Sequence, residues 1–189
     1  MKSETTIFLV TLGQSGSSAL AEIVNKLGVP LYNHLRSADK DYYENRLLVE
    51  ENKRILGDEQ EYEWLDHVVR GEPRTDLKGL LKDPRLVLTY HLWKKAYPKA
   101  KTIFLARNTY DILLDKALYS KRQDLLEQRT EMFYHHIQNC DDFLYIHYDM
   151  LSFDYEATLR KIADYCWVRY KQIDNWKPKY YGQRRKLIG

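Results

Sequence analysis

Between Thr5 and Leu12 the chain reads TTIFLVTL, β-branched and nearly continuous in apolar positions, as expected of a strand buried on both faces of a parallel sheet. Apolar residues then recur at helical spacing, at Leu20, Ile23, Val24 and Leu27, and Gly28 supplies the stop. Mixed polar and apolar positions from Asp41 to Leu56 and from Tyr62 to Arg70 predict two further helices. Gly79 to Lys82 (GLLK) predicts a short strand ended by Asp83-Pro84. Thr102 to Ala106 (TIFLA) predicts another buried strand; after it come Arg107 and Asn108, a good N-cap with Asp111 three residues on. Leu125, Arg129, Met132, Phe133 and Ile137 mark a long amphipathic helix. Phe143 to Tyr148 (FLYIHY) predicts the last strand, and Ser152 is placed as the cap of a helix carrying Leu159, Ile162, Ala163 and Cys166. Strands alternating with helices predict an α/β domain with a parallel sheet. With no repeat or Pro/Gly/Ser linker, residues 1–189 read as a single domain. Ligands of such sheets sit at the carboxyl ends of the strands. Three stretches are predicted there: Gly13–Ser18, Lys82–Arg85 and Arg107–Asp111.

Composition narrows the function classes. Hydrophobic residues make up 44% and charged residues 30%, an ordinary globular balance. A net charge of +3 is compatible with an anionic ligand, but the basic residues are dispersed among 27 acids, which argues against nucleic acid as a partner. No apolar run reaches the roughly 18 residues needed to span a bilayer, so no membrane partner is expected. Met1-Lys2-Ser3-Glu4 runs straight into a strand-like segment and does not read as a secretory signal. Cys140 and Cys166 form no metal or disulfide pattern, so a reduced, cytoplasmic protein is expected. The histidines lack metal-ligand spacing, and His135-His136 would point in different directions from one helix.

The stretch TLGQSGSSAL, residues 11 to 20, carries the most chemistry. Gly13 and Gly16 let the backbone approach a ligand, and Ser15, Ser17 and Ser18 add hydroxyls. A helix starting near Ser17 aims its unpaired N–H groups and positive dipole end at the same spot, an arrangement suited to phosphate or sulfate. A nucleoside-triphosphate loop is disfavoured: no Lys follows Gly16, and no obvious Asp at a strand end offers to hold Mg²⁺. By themselves the other charges have plainer readings. Lys82 and Arg85 flank a Pro turn as exposed charges, Glu44 opens a helix where acids favour the dipole, and Arg107 pairs with Asp83 or Asp111.

Taken in order, these motifs resemble those of the sulfotransferase family, above all its bacterial type. TLGQSGSSALAEIVNKLGVPL resembles that group's 5′-phosphosulfate loop, in which a basic residue and Ser-Gly-Thr-Ser precede an apolar helix ending in Leu-Gly-Val. DKDYYENRLLVEENKRIL is similar to its Gly-Tyr-Phe-Glu segment with the helix that follows. GLLKDPRLVLTYHLWKKAYPKAKTIFLARNTYDILL is similar to its Lys-Asp-Pro-Arg turn and the strand ending in Arg-Asn-Pro. FLYIHYDMLSFDYEATLRKIADYC resembles its late strand, Tyr-Glu-Asp-Leu turn and closing helix. The resemblance implies a P-loop-like three-layer α/β sandwich and the nucleotide co-substrate 3′-phosphoadenosine 5′-phosphosulfate (PAPS), with no metal. It implies that Gly13, Gln14, Ser15, Gly16, Ser17 and Ser18 wrap the 5′-phosphosulfate and that Arg107 meets the 3′-phosphate. Lys82 is placed near the transferring sulfuryl group, and Glu44 as the base that takes a proton from the acceptor hydroxyl or amine. Tyr42, Tyr43, Trp64 and Trp93 are available to stack on a small-molecule or carbohydrate acceptor, or else to pack.

The pattern departs from the family at charged positions. Gln14 stands where the family has Arg or Lys, Asp115 where it has the Ser eight residues after the strand-end Arg, and Thr109 where it has Pro. A carboxylate beside a phosphate is repulsive unless a cation such as Lys116 or the tail Arg184-Arg185-Lys186 intervenes. A working sulfotransferase with a rewired cofactor site is therefore expected. The alternatives are a sulfotransferase-like enzyme using a less anionic donor, or a catalytically degenerate binding module that has lost the PAPS site.

Overall fold

A sheet of four parallel strands organises the protein, in a computed structural model that describes residues 5–12, 15–36, 41–56, 73, 76–108, 112 and 123–173. In chain order the elements are β1 (Ile7–Thr11), α1 (Ser17–Leu27), β2 (His34–Arg36), β3 (Asp41–Asn45) and α2 (Arg46–Leu56). They continue as β4 (Leu80–Lys82), α3 (Leu86–Ala96), β5 (Lys101–Ala106), α4 (Gln123–Gln138), β6 (Leu144–His147), α5 (Met150–Phe153) and α6 (Tyr155–Tyr165). The sheet order is β4-β1-β5-β6, while β2 and β3 form a separate antiparallel pair.

The period-2 alternation of strands separates two cores. Phe8, Val10, Leu81, Phe104 and Ala106 face one way, into a cluster with Leu48 and Ile55 of α2, Trp93 of α3 and Phe133 of α4. Ile7, Leu9, Leu80, Ile103, Leu105 and Ile146 face the other way, against Ile23 and Val24 of α1 and Leu159 and Ile162 of α6. Every residue of β1 is fully buried, because helices cover both of its faces. The result is three layers, helix on sheet on helix.

The strand order decides where a ligand can enter. From β1 the chain crosses to β4 on one side, and from β5 it proceeds to β6 on the other. Departures in opposite directions from neighbouring strands leave a crevice between the carboxyl ends of β1 and β5. The residues following those ends are the turn into α1 and Arg107.

Several expectations hold. Gly28 ends α1 at φ +116°, its N–H reaching Asn25 O, and Val29 N–H donates to Val24 O at 3.2 Å. β4 stops at Lys82, just before Asp83-Pro84. Ile112 N–H donates to Asn108 O at 3.1 Å, one helical step after Asn108.

Others are corrected. Asp41 to Asn45 is a strand and not the start of a helix; α2 begins only at Arg46. The reason is Asn45, whose Oδ1 accepts from Leu48 N–H at 3.0 Å as an N-cap, while its Nδ2 donates to Tyr32 O at 2.8 Å. Ser152 caps nothing: it lies inside the short α5, and α6 follows Asp154. The helix α3, behind the Lys-Asp-Pro-Arg turn, has no counterpart in the periodicity, because Leu86 to Tyr90 is buried almost continuously. The expected helix over Tyr62–Arg70 lies outside the described residues.

Candidate functional site at the carboxyl ends of the strands

The turn at the end of β4 is set by a buried polar network. Asp83, with no exposed surface, accepts from Asn52 Nδ2 at 2.8 Å and from Arg85, through backbone N–H at 3.1 Å and Nη1 at 2.9 Å. Asn52 Oδ1 in turn accepts from Thr89 Oγ1 and Trp93 Nε1, both at 2.8 Å. An unsatisfied polar group here costs about 1–3 kcal/mol, so each member holds its neighbours in place. The network ties α2 and α3 to the turn and thereby fixes the direction of Lys82. An Asp does sit at a strand end, contrary to expectation, but its oxygens are engaged by Arg85 and Asn52. Arg85, expected to be exposed, is folded back onto Asp83.

Lys82 is buried as well. Its Nζ donates to Glu44 Oε1 at 3.2 Å and to Ser18 Oγ at 3.2 Å. Glu44 comes from β3, which packs against β4, α1 and α2. Its placement follows from the Asn45 cap one residue on and from the left-handed backbone of Tyr43, φ +53°, one residue before. The reading of Glu44 as an acid at a helix start is thus replaced by an acid at the end of a hairpin strand. Burial pushes its carboxyl above the ordinary 4.5, against the opposing pull of Lys82. Burial also pulls the Lys82 ammonium below 10.5, with Glu44 opposing. The two groups are drawn towards each other's protonation range, the effect of burying an ion pair.

At the start of α1, Gly16 occupies the N-cap position at φ +87°. The first turn carries no acidic residue, so no acid of its own offsets the positive end of the helix dipole. Ser17 is buried and Ser18 is turned towards Lys82. Ser15 faces inward, its hydroxyl bonded to that of Thr11. Any part it takes in ligand binding falls to its backbone. Gly13 and Gln14 lie outside the described residues, as do Thr109, Asp111, Asp115, Lys116, Trp64 and the tail Arg184-Arg185-Lys186, and the side chain of Tyr42.

Arg107 follows β5 and is half-buried, its guanidinium carbon 5.3 Å from the centre of the Tyr148 ring. Its strand lies two places from that of Lys82, with β1 between them. In register Lys82 pairs with Leu9 and Leu9 with Ile103, so Arg107 leaves the sheet two strands across from Lys82 and four residues further along, with β1 and the turn into α1 between them. Tyr148, which sequence reasoning passed over, follows the fourth strand. Residues after all four parallel strands therefore contribute to one edge. Trp93 is settled as packing, because it is fully buried in the core. Tyr43 packs against the core on the α1 side. His91 is exposed and stacks on His136.

Among the described residues, no His, Cys, Asp or Glu group is arranged to hold a metal ion, and no helix is long and apolar enough to cross a membrane. No protein-family model matches the chain, and no curated protein matches it either.

Proposed function

We propose that this protein is a PAPS-dependent sulfotransferase of P-loop-like fold, acting on a hydroxyl or amine of a small-molecule or carbohydrate acceptor. One observation carries the reading: Lys82 joins Ser18, at the N-terminus of α1, to Glu44 through contacts of 3.2 Å each. A cation, a proton acceptor and the acid-free first turn of a helix thus share one point at the edge of the sheet. Sulfuryl transfer needs those three things.

PAPS supplies the sulfuryl group on a 5′-phosphate leaving group and carries a second anionic end at its 3′-phosphate. The turn into α1 receives the 5′ end through backbone N–H groups and the helix dipole. Arg107 offers the 3′-phosphate a planar, bidentate donor. Glu44 takes the acceptor's proton as the acceptor oxygen or nitrogen bonds to sulfur. Lys82 donates to the oxygen that gains charge as its bond to sulfur breaks. Atoms balance: the acceptor gains the sulfuryl group, Glu44 gains the proton, and adenosine 3′,5′-bisphosphate departs.

The self-contained Lys82–Glu44 pair supports a second reading, a binding module on the same fold. A lysine already engaged by Glu44 and Ser18 does not require a ligand for its own stability. Thermal melting with adenosine 3′,5′-bisphosphate tests the first reading. Ligand at 100 times its Kd adds about 2.7 kcal/mol, which raises the Tm of a chain this size by roughly 5–10 °C. No shift at millimolar ligand overturns it. A shift that appears only after Gln14→Arg with Asp115→Ser establishes the second.

A further inference from the structure

Tyr148 lies where three parts of the site meet. Its backbone N–H donates to Ala106 O at 2.8 Å, extending the β5–β6 ladder to the residue just before Arg107. The residue is 3% exposed. Its ring rests on Gly16: a Cβ there would fall 2.0 Å from Cε2 and 2.3 Å from Cδ2. The same ring carries the Arg107 guanidinium, its carbon 5.3 Å from the ring centre. One ring thus contacts both the α1 turn and the strand-end cation.

We infer that Tyr148 is a positioning residue that holds Arg107 at a set distance from the Gly16 turn, so that the two ends of an anionic nucleotide are met by groups already in place. The face of an aromatic ring attracts a guanidinium and restrains it. An arginine side chain otherwise loses much rotamer freedom on binding, and prior restraint removes that cost from the affinity. The ring edge against the Gly16 α carbon couples that restraint to the turn. Only glycine fits there, because a side chain would meet both the positive φ and the ring. Tyr148 itself need not touch the ligand. The inference rests on the sulfotransferase reading of the crevice.

Titration calorimetry of adenosine 3′,5′-bisphosphate and adenosine 5′-phosphate separates the possibilities, with folding checked by near-UV circular dichroism. Tyr148→Phe keeps the ring and is expected to bind the bisphosphate within about threefold of the natural protein. Tyr148→Leu is expected to weaken the bisphosphate by about tenfold, and the monophosphate by less than about threefold. In an Arg107→Ala background the effect of Tyr148→Leu should shrink to under about threefold. If the Leu variant does not fold, Tyr148→Met, whose flexible unbranched chain fills irregular space without a ring, gives the same readout. Equal losses for both ligands, no loss at all, or an undiminished loss without Arg107 overturns the inference and leaves the sulfotransferase reading intact. If the natural protein binds neither nucleotide, that reading fails and the inference falls with it.

Discussion

Two carboxylates lie beside Lys82, one next to it in sequence and one brought from a distant hairpin. Asp83 is shut away from water and accepts three hydrogen bonds, two from Arg85 and one from Asn52. Glu44 keeps 17% of its side chain exposed and, among the described residues, has Lys82 as its ion-pair partner at 3.2 Å. A carboxylate held by three donors from two residues, Asn52 of α2 and Arg85 of the turn, is scaffolding: its charge is spent on holding that turn. A carboxylate with one long contact and an open edge can exchange that contact for a proton. On the proposed reaction, the difference in satisfaction, rather than in charge, separates the structural acid Asp83 from the chemical role assigned to Glu44.

The largest effect tests the division directly. Asp83→Ala strands Arg85 and Asn52 in the interior and is expected to cost about 3–5 kcal/mol in urea unfolding. Glu44→Gln should leave the unfolding free energy within about 1 kcal/mol, yet lower sulfuryl transfer by at least about 100-fold. Equal stability losses in the two variants would erase the distinction. The native state holds a proton on Glu44 more tightly than the unfolded chain does. Ionising Glu44 therefore costs stability as pH rises from 4.5 through its elevated pKa, a cost partly offset by the support the carboxylate gives the buried Lys82 ammonium.

A pH profile sharpens the same contrast. The proposed transfer uses Glu44 ionised and Lys82 protonated, so on that reading kcat/KM should rise with pH along a limb above the ordinary 4.5 and fall along one below the ordinary 10.5. Limbs at the ordinary values, or an acid limb that persists in Glu44→Gln, would detach these two residues from the chemistry.

The smallest effect lies away from the site, where a buried group has only a structural task. His136 is buried on α4, donates through Nε2 to Val87 O at 2.8 Å, and is pushed down to about 4 by burial. His91 and His135 are its titratable neighbours. The unfolded chain takes up a proton near 6.5 that the native state refuses, so stability should fall between pH 6.5 and about 4 by roughly 1–3 kcal/mol. In His136→Gln, urea midpoints at pH 7 and 4.5 should lie closer together than in the natural protein. An unchanged gap would place the acid sensitivity elsewhere.

Patterning alone determined the parallel α/β layering, because strands buried on both faces must be apolar throughout and the helices covering them apolar at their own period. The sequence-local devices were equally plain: Gly28 ends α1, and Asp83-Pro84 ends β4. The β2–β3 hairpin was hidden because its strand reads as the start of the helix behind it; Asn45 was the signal of the boundary. Helix α3 was hidden because burial on nearly all sides removes helical periodicity. That Lys82 is buried, that it meets Glu44 across 38 positions and Ser18 across 64, and that the Tyr148 ring rests on Gly16 belong to the tertiary structure. Such meetings depend on the order of the strands and on which helix covers which face, and pairings so far apart along the chain leave no trace in local spacing.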